Sequence, residues 1–230
     1  MPTARHSLRQ AIVVLDMPPI LPFLGEPISP SSGMLQASSL LLRDVIGALV
    51  AINGVSIVVV ARPGTAAGDP SARLPAGVEL VVVRERSAAG DIAHEALRRH
   101  FEHDDSPVLV LAGDTIGCGV RNAATALSTL ARADSAIGLS VAGGVYAVAV
   151  RSVEVAASLH AQGWLGALET GGAAPESLPG PPMTVSRSLA RLHRGGDSAT
   201  IDELRTVVAS APTAMPRIAA ALGLPHRLTR

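Results

Sequence analysis

The chain has 230 residues, enough to bury one sizeable core, and its 19 basic residues balance its 19 acidic ones, so the formal net charge is zero. A neutral chain has no long-range field to attract nucleic acid or an anionic membrane, and an aromatic content of 2% leaves few rings on which bases could stack. Every basic residue is an arginine, which excludes lysine Schiff bases and P-loop lysines and leaves arginine and backbone N–H groups to bind any phosphate.

The hydrophobic pattern predicts strands and helices that alternate along the chain. In chain order it predicts a strand at 11–16, a helix at 35–52, strands at 55–61 and 78–83, a helix at 91–102, a strand at 107–112, a helix at 120–132, strands at 135–139 and 145–150, and helices at 152–161, 186–193, 200–210 and 214–222. Alternating strands and helices indicate a mostly parallel, mixed sheet covered on both faces, a three-layer α/β/α sandwich like the Rossmann folds. We expect one domain over residues 1–230.

Two segments are predicted to be loops. Residues 17–32 carry five prolines, too many missing N–H donors for a helix or a central strand. Residues 163–182 are rich in Gly and Pro and are predicted to be a mobile loop. The apolar run at 11–15 is too short for a signal peptide or a membrane span, and the single cysteine, Cys118, cannot form an internal disulfide. We therefore expect a cytoplasmic protein.

Asp114 is the residue at which a chemical hypothesis can begin. It directly follows the buried strand at 107–112 and Gly113. A carboxylate at the carboxyl end of such a strand is how α/β nucleotide-binding folds place a ligand for Mg²⁺ or Mn²⁺. The alternative is that Asp114 caps the helix that begins soon after it, which needs no ligand. The sequence leaves both open.

The other candidate residues surround this strand end. Gly113 would let the backbone approach a ligand, and Thr115 is placed with it as a substrate-binding residue. Gly143 and Gly144 would let a base or sugar lie against the backbone, or would simply form a tight turn between strands. Two arginines follow the strand at 78–83, where they could reach a phosphate or remain solvated: Arg84 and Arg86.

The order of these pieces resembles the nucleotide-diphospho-sugar transferase (GT-A-like) superfamily, and within it the DUF2064 family of glycosyltransferase-like proteins. That family is related to the 2-phospho-lactate and molybdenum-cofactor guanylyltransferases. The resemblance rests on the strand before Gly113-Asp114, the stretch at 131–139, Gly143-Gly144 with Tyr146, and a C-terminal stretch at 197–204 that looks like the family's Asp-x-Asp-Thr-x-x-Asp-Leu ending.

The resemblance implies a GT-A fold and a transferase that moves a nucleotidyl or glycosyl group from a nucleoside triphosphate or nucleotide-sugar donor to a small-molecule acceptor. It implies Mg²⁺ or Mn²⁺ held by Asp114, with Asp197 as a second ligand or a base. The chain departs from the family in three places. The segment 18–33 lacks the usual Lys-Thr-Arg-Leu phosphate motif, Ala142 replaces the acidic residue before Gly-Gly, and Ala199 replaces the second acidic residue of the C-terminal motif.

These departures keep two other hypotheses open. The chain could be a degenerate, non-catalytic member that binds a nucleotide-like ligand or a protein partner, because a triphosphate with few cations around it is poorly neutralised. It could also be a structural subunit, since an uncharged Ala- and Leu-rich surface is compatible with a homodimer.

Overall fold

The computed structural model describes residues 10–16, 33–62, 74–83, 88–177, 183–198 and 201–224. The strands in these ranges are β1 (Gln10–Asp16), β2 (Val55–Ala61), β3 (Val78–Val82), β4 (Val108–Ala112), β5 (Thr115–Ile116), β6 (Ser135–Leu139), β7 (Val145–Val150), β8 (Val185–Ser186) and β9 (His193–Arg194). The helices are α1 (Gly33–Leu49), α2 (Asp91–Phe101), α3 (Val120–Thr129), α4 (Val153–Ala161), α5 (Trp164–Thr170), α6 (Ile201–Ser210) and α7 (Pro216–Ala221). A 3₁₀ turn, Gly195–Asp197, follows β9.

Seven of the described strands form one sheet in the order β3-β2-β1-β4-β7-β6-β8. The pairs β1–β2, β1–β4, β2–β3 and β6–β8 are parallel, whereas β7 runs antiparallel to both of its neighbours. The carboxyl ends of β1 to β4 therefore lie along one edge. After β1 the chain continues to β2 on one side, and β4 has β7 on the other side. A sheet that is built outward in both directions has its ligand crevice at this switch point.

Two hydrophobic layers cover the sheet. On one face α1 and α3 pack against Ile12 and Val14 of β1, and on the other face α2, α4 and α5 pack against Val13 and Leu15. The side chains of β1 alternate between the two layers because successive residues of a strand point to opposite faces. The predicted three-layer α/β/α sandwich with a mixed sheet is confirmed.

The segment predicted to be a mobile loop at 163–182 begins instead with a buried helix. The side chains of Trp164, Leu165 and Leu168 on α5 are fully buried against the sheet. The glycine density misled the prediction, because Gly163 and Gly171 are the residues that flank α5, both with positive φ. Residues 178–182 of the predicted loop lie outside the described ranges.

The helix predicted at 186–193 is also wrong. This stretch is mostly irregular and lies between the short strands β8 and β9. β9 pairs with β5 in a two-stranded antiparallel ribbon that stands apart from the main sheet. Two-residue strands are too short to give a hydrophobic period, so no sequence pattern marks them.

The C-terminal helices α6 and α7 pack on the outer side of α1. A separate apolar cluster joins α1, β5, α6 and α7. Asp44 of α1 is buried within it and accepts hydrogen bonds from the backbone N–H groups of Arg217 and Ile218, at 3.0 Å for each shortest contact. This carboxylate thereby fastens the start of α7 to the body of the fold.

No helix among the described residues has the length and apolar character needed to cross a membrane.

Gly138 of β6 gives the first testable prediction. A Cβ at this position would lie 2.5 Å from Cζ of Tyr146, whose hydroxyl donates to the carbonyl of Ala190 at 2.7 Å. We expect Gly138→Ala to lower the free energy of unfolding by about 1–3 kcal/mol, the usual cost of overpacking. Urea unfolding at 25 °C measures it. In the control, Gly119→Ala, the new Cβ would have its nearest neighbour 3.9 Å away. Equal losses in both variants would contradict the overpacking argument.

Candidate functional site

Asp114 lies at the switch point, two residues beyond the end of β4. The turn that carries it is fixed to β1, because the N–H of Gly113 donates to the carbonyl of Leu15 at 2.9 Å. A Cβ on Gly113 would lie 2.9 Å from that carbonyl oxygen, so only glycine allows the two strand ends to approach this closely. Helix α3 is capped by Gly119, which excludes the alternative that Asp114 is its N-cap.

An arginine from the far end of the chain is paired with Asp114. The β5–β9 ribbon places Thr115 opposite Arg194. The Nε of Arg194 donates to Oδ1 of Asp114 at 2.9 Å, and the two side chains are only 7% and 17% exposed. The backbone N–H of Gly195 also donates to the carbonyl of Asp114, at 2.8 Å. This ribbon is therefore part of the site and not a peripheral decoration.

Asp197 joins the same network through the 3₁₀ turn. Its Oδ2 accepts from the backbone N–H of Arg194 at 2.9 Å, and its Oδ1 accepts from the hydroxyl of Ser140 at 3.3 Å. The Ser140 oxygen in turn accepts from the N–H of Gly144 at 3.1 Å. Asp114, Asp197 and the Gly143-Gly144 turn, which were singled out separately in the sequence, are thus linked through Arg194 and Ser140.

The remaining predicted residues have different environments. Gly113 is needed for packing against β1, as described above. Thr115 is fully buried and its hydroxyl donates to the carbonyl of Ala112 at 2.6 Å, so that hydroxyl serves the turn. Gly143 and Gly144 form the tight turn between β6 and β7, where Gly143 has a φ of +91°. Arg84 and Arg86 lie outside the described residues.

Three residues of the site were not predicted from the sequence: Asp16, Ser140 and Arg194. Asp16 ends β1 beside the Gly113 turn and is 4% exposed. Arg194 has no local sequence signal apart from the Gly195-Gly196 pair that follows it and that allows the turn to approach Asp114. The sequence signal that could have identified Asp16 is its position at the end of a buried strand, which is the same signal that identifies Asp114.

Whether this site suits a divalent cation can be tested on its oxygen atoms. The described residues contain no group of three or more His, Cys, Asp or Glu side chains arranged to hold a metal. Oδ2 of Asp114, however, has only a long contact, 3.5 Å, with the N–H of Gly196. Mg²⁺ is usually bound by one or two carboxylates together with substrate phosphates and water. Asp114 fits that kind of shared site, and Asp197 is connected to it through Arg194.

A buried carboxylate, that of Glu169, lies between α5 and α2. Glu169 is only 2% exposed at its side chain, its Oε1 accepts from the N–H of Ala93 at 2.7 Å, and its Oε2 lies 3.8 Å from Nη2 of Arg62. Burial raises the pKa of Glu169, and the hydrogen bonds from the start of α2 and the charge of Arg62 offset this only in part.

This raised pKa predicts how stability depends on pH. Since the folded-state pKa lies above the ordinary 4.5, the contribution of Glu169 is fully present below pH 4.5 and is lost as the pH rises through the folded-state value. We expect Glu169→Gln to gain stability relative to the wild type between pH 4.5 and pH 7. Urea unfolding of both proteins at the two pH values tests this. If instead the free energy of unfolding of the wild type rises relative to that of the variant between pH 4.5 and pH 7, then α2 and Arg62 stabilise the carboxylate.

A groove of about 990 Å³ lies elsewhere, between α2 and the strands β1 to β3. Its lining includes Glu79, Glu95 and His100 but neither Asp114 nor Asp197. The groove and the Asp114–Arg194 network are therefore separate features of the molecule.

The sheet order is that of a GT-A-like α/β fold, and solved structures share it. A candidate nucleotide-diphospho-sugar transferase from Desulfovibrio desulfuricans G20 aligns with a TM-score of 0.66 at 17% identity, over 93% of this chain and 96% of that one. The 4-diphosphocytidyl-2C-methyl-D-erythritol synthase of Anaerococcus prevotii DSM 20548 aligns at 0.53 and 8% identity, over 87% and 95%. The glucosyl-3-phosphoglycerate synthase of Mycobacterium tuberculosis, solved with Mn²⁺, UDP and glucosyl-3-phosphoglycerate, aligns at 0.50 and 14% identity, over 96% and 82%.

The family follows from the sequence of the central region. Residues 45–164 match the family described as "Uncharacterized protein conserved in bacteria (DUF2064)", and the chain belongs to this family. The predicted resemblance is thus confirmed. A search of curated proteins finds no match. The matched region includes Asp114 and the Gly143-Gly144 turn but ends before Arg194 and Asp197.

Proposed function

We propose that the protein is a nucleotide-dependent transferase, which moves a nucleotidyl or glycosyl group from a nucleoside triphosphate or nucleotide-sugar donor to a small-molecule acceptor with a divalent cation. The observation that carries the proposal is the position of Asp114 at the switch point, held by Arg194 and adjoined by Asp197. The solved structures of similar fold support it because one is named a nucleotide-diphospho-sugar transferase, another a 4-diphosphocytidyl-2C-methyl-D-erythritol synthase, and a third was solved with Mn²⁺ and UDP.

In this proposal each residue of the network has a separate task. Oδ2 of Asp114 is a ligand of Mg²⁺ or Mn²⁺, and Asp197 is a second ligand or a base. When bound, the cation would neutralise charge that develops on the donor phosphates. The Gly143-Gly144 turn and the Gly113–Thr115 turn form the backbone wall on which the donor rests. Arg84 and Arg86 are the proposed phosphate contacts after β3.

A specific observation favours a second candidate, a member of the family that binds a nucleotide-like ligand or a protein partner without turnover. One oxygen of Asp114 is already occupied by Arg194, and the segment 18–33 has neither Lys nor Arg. A site with so few cations neutralises a triphosphate poorly. This candidate predicts ligand binding without consumption of the donor, and a homodimer is compatible with either one.

A thermal-shift screen separates these candidates. The purified protein is heated with nucleoside triphosphates and nucleotide sugars, each with and without Mg²⁺ or Mn²⁺. A ligand that binds only the native state at a hundredfold excess over Kd adds about 2.7 kcal/mol of stability. A shift that requires both one nucleotide and the cation is the expected result and names the donor. No shift across the panel would contradict the transferase. The donor that causes a thermal shift is then tested for turnover, measured as the release of phosphate or nucleotide. Turnover distinguishes the enzyme from the binding protein.

A further inference from the structure

Arg194 is held more rigidly than an ion pair with Asp114 requires. Its Nε donates to Asp114, and its Nη1 donates to the carbonyls of Val145 at 3.1 Å and Leu168 at 2.8 Å. These acceptors come from three separate elements, the β4–β5 turn, β7 and α5. Groups on three sides therefore fix the plane of the guanidinium. The side chain of Arg194 is only 7% exposed.

The third nitrogen of this guanidinium, Nη2, differs from the other two. Nη2 makes no hydrogen bond with any of the described residues, and it is not among the polar atoms that are completely enclosed without a partner. A planar, permanently charged donor that is desolvated and partly unpaired is suited to an anionic oxygen. Its position beside the proposed metal ligand identifies which anion that would be.

Gly171 lies against the guanidinium of Arg194. This residue ends α5 with a φ of +70°, and a Cβ there would lie 3.3 Å from Nη1 and 3.4 Å from Cζ of Arg194. Any larger side chain at position 171 would be strained and would also crowd the charged group. The end of α5 thus provides an acceptor for Arg194 and, at Gly171, has no side chain that would crowd the guanidinium.

We infer that Arg194 is the phosphate-binding cation of the site, with Nη2 donating to a diphosphate oxygen of the donor while Nε keeps Asp114 in place. The inference rests on the proposed function for the identity of the anion. It also offers a source of positive charge although the segment 18–33 has neither Lys nor Arg, because Arg194 of β9 supplies a fixed guanidinium.

The test measures binding of inorganic pyrophosphate by calorimetry in EDTA, so that no cation takes part. We expect the wild type to bind pyrophosphate and Arg194→Gln to bind it about 10- to 100-fold more weakly, the range for a hydrogen bond to a charged group. Arg194→Lys should retain part of the affinity. The matched control is Arg151→Gln, which removes an arginine paired with Asp134 on the surface and should leave the affinity unchanged.

A variant of opposite sign keeps the proposal testable if Arg194→Gln does not fold. Asp114→Asn removes the negative charge beside Arg194, so it should bind pyrophosphate in EDTA several-fold more tightly than the wild type. Wild type that fails to bind pyrophosphate, folded Arg194→Gln with unchanged affinity, or Asp114→Asn with no gain would each overturn the assignment. A metal-dependent nucleotide shift in the thermal screen tests the proposed function separately, so the two failures are distinguishable.

Discussion

Asp114→Asn is expected to lower metal-dependent nucleotide binding by more than about 100-fold, since the loss of an outer-shell partner alone costs about 10- to 100-fold in metal affinity. Asparagine is the informative substitution because its amide oxygen can still accept from Nε of Arg194 and keep the shape of the turn. Alanine would leave a buried arginine without its carboxylate, which costs about 3–5 kcal/mol and confuses loss of binding with loss of folding.

The measurement is a titration of the nucleotide identified by the thermal screen, with and without Mn²⁺, at a temperature where circular dichroism shows the variant folded. The matched control is Asp134→Asn, which also removes the charge of an aspartate paired with an arginine but lies just before β6, at the opposite edge of the sheet from Asp114. We expect the control to bind like the wild type. Equal binding by Asp114→Asn and the wild type would eliminate the metal role of Asp114.

Trp164→Ala is expected to give the largest loss of stability, about 3–5 kcal/mol, because it empties the largest fully buried side chain of the fold. Trp164 begins α5 and lies under the guanidinium of Arg187, 5.2 Å from the ring. Its Nε1 donates no hydrogen bond to a described residue. Trp164→Phe therefore removes an unpaired N–H together with part of the ring, and should cost less than the alanine variant.

Chemical unfolding of both variants at 25 °C measures the two losses. A loss below about 1 kcal/mol for the alanine variant would mean that α5 is not firmly packed, as a mobile segment at 163–182 would require. A phenylalanine variant as unstable as the alanine variant would mean that the indole N–H has a partner outside the described residues.

Six of the seven strands of the main sheet were predictable because each contains a run of apolar or β-branched residues, of the kind that a buried strand needs; the exception is the two-residue β8. Val55–Ala61 and Val145–Val150 have the predicted bounds. The position of Asp114 followed from the same logic, because a strand end fixes the place of the residue after it. Periodicity of two or of 3.6 residues is a local property, and it predicts local structure well.

Helix α5 shows where this logic stops. Its apolar residues Trp164, Leu165 and Leu168 have helical spacing, but the helix has only seven residues and is flanked by Gly163 and Gly171. In the sequence these glycines favour a loop, whereas in the structure they adopt the positive φ that is found at helix ends. In so short an element, tertiary burial and not propensity decides the structure.

Arg194 could not be predicted at all, because no local pattern connects it to Asp114. The pair depends on a two-residue ribbon, β5 with β9, whose strands are too short to leave a signal. The same is true of Asp44, which is a charged residue on a helix in the sequence and a buried anchor of α7 in the structure. Contacts between distant residues are the part of a site that a single sequence does not contain.

The separation of 80 residues between Asp114 and Arg194 has a consequence for biosynthesis. At about 5–20 residues per second, the ribosome completes β4 about 4–16 s before it adds Arg194. During that interval the central sheet can assemble while the carboxylate at its edge has no counter-charge. The crevice is thus completed by a segment that is synthesised well after β4, and a chain arrested before β9 would lack the counter-charge of Asp114.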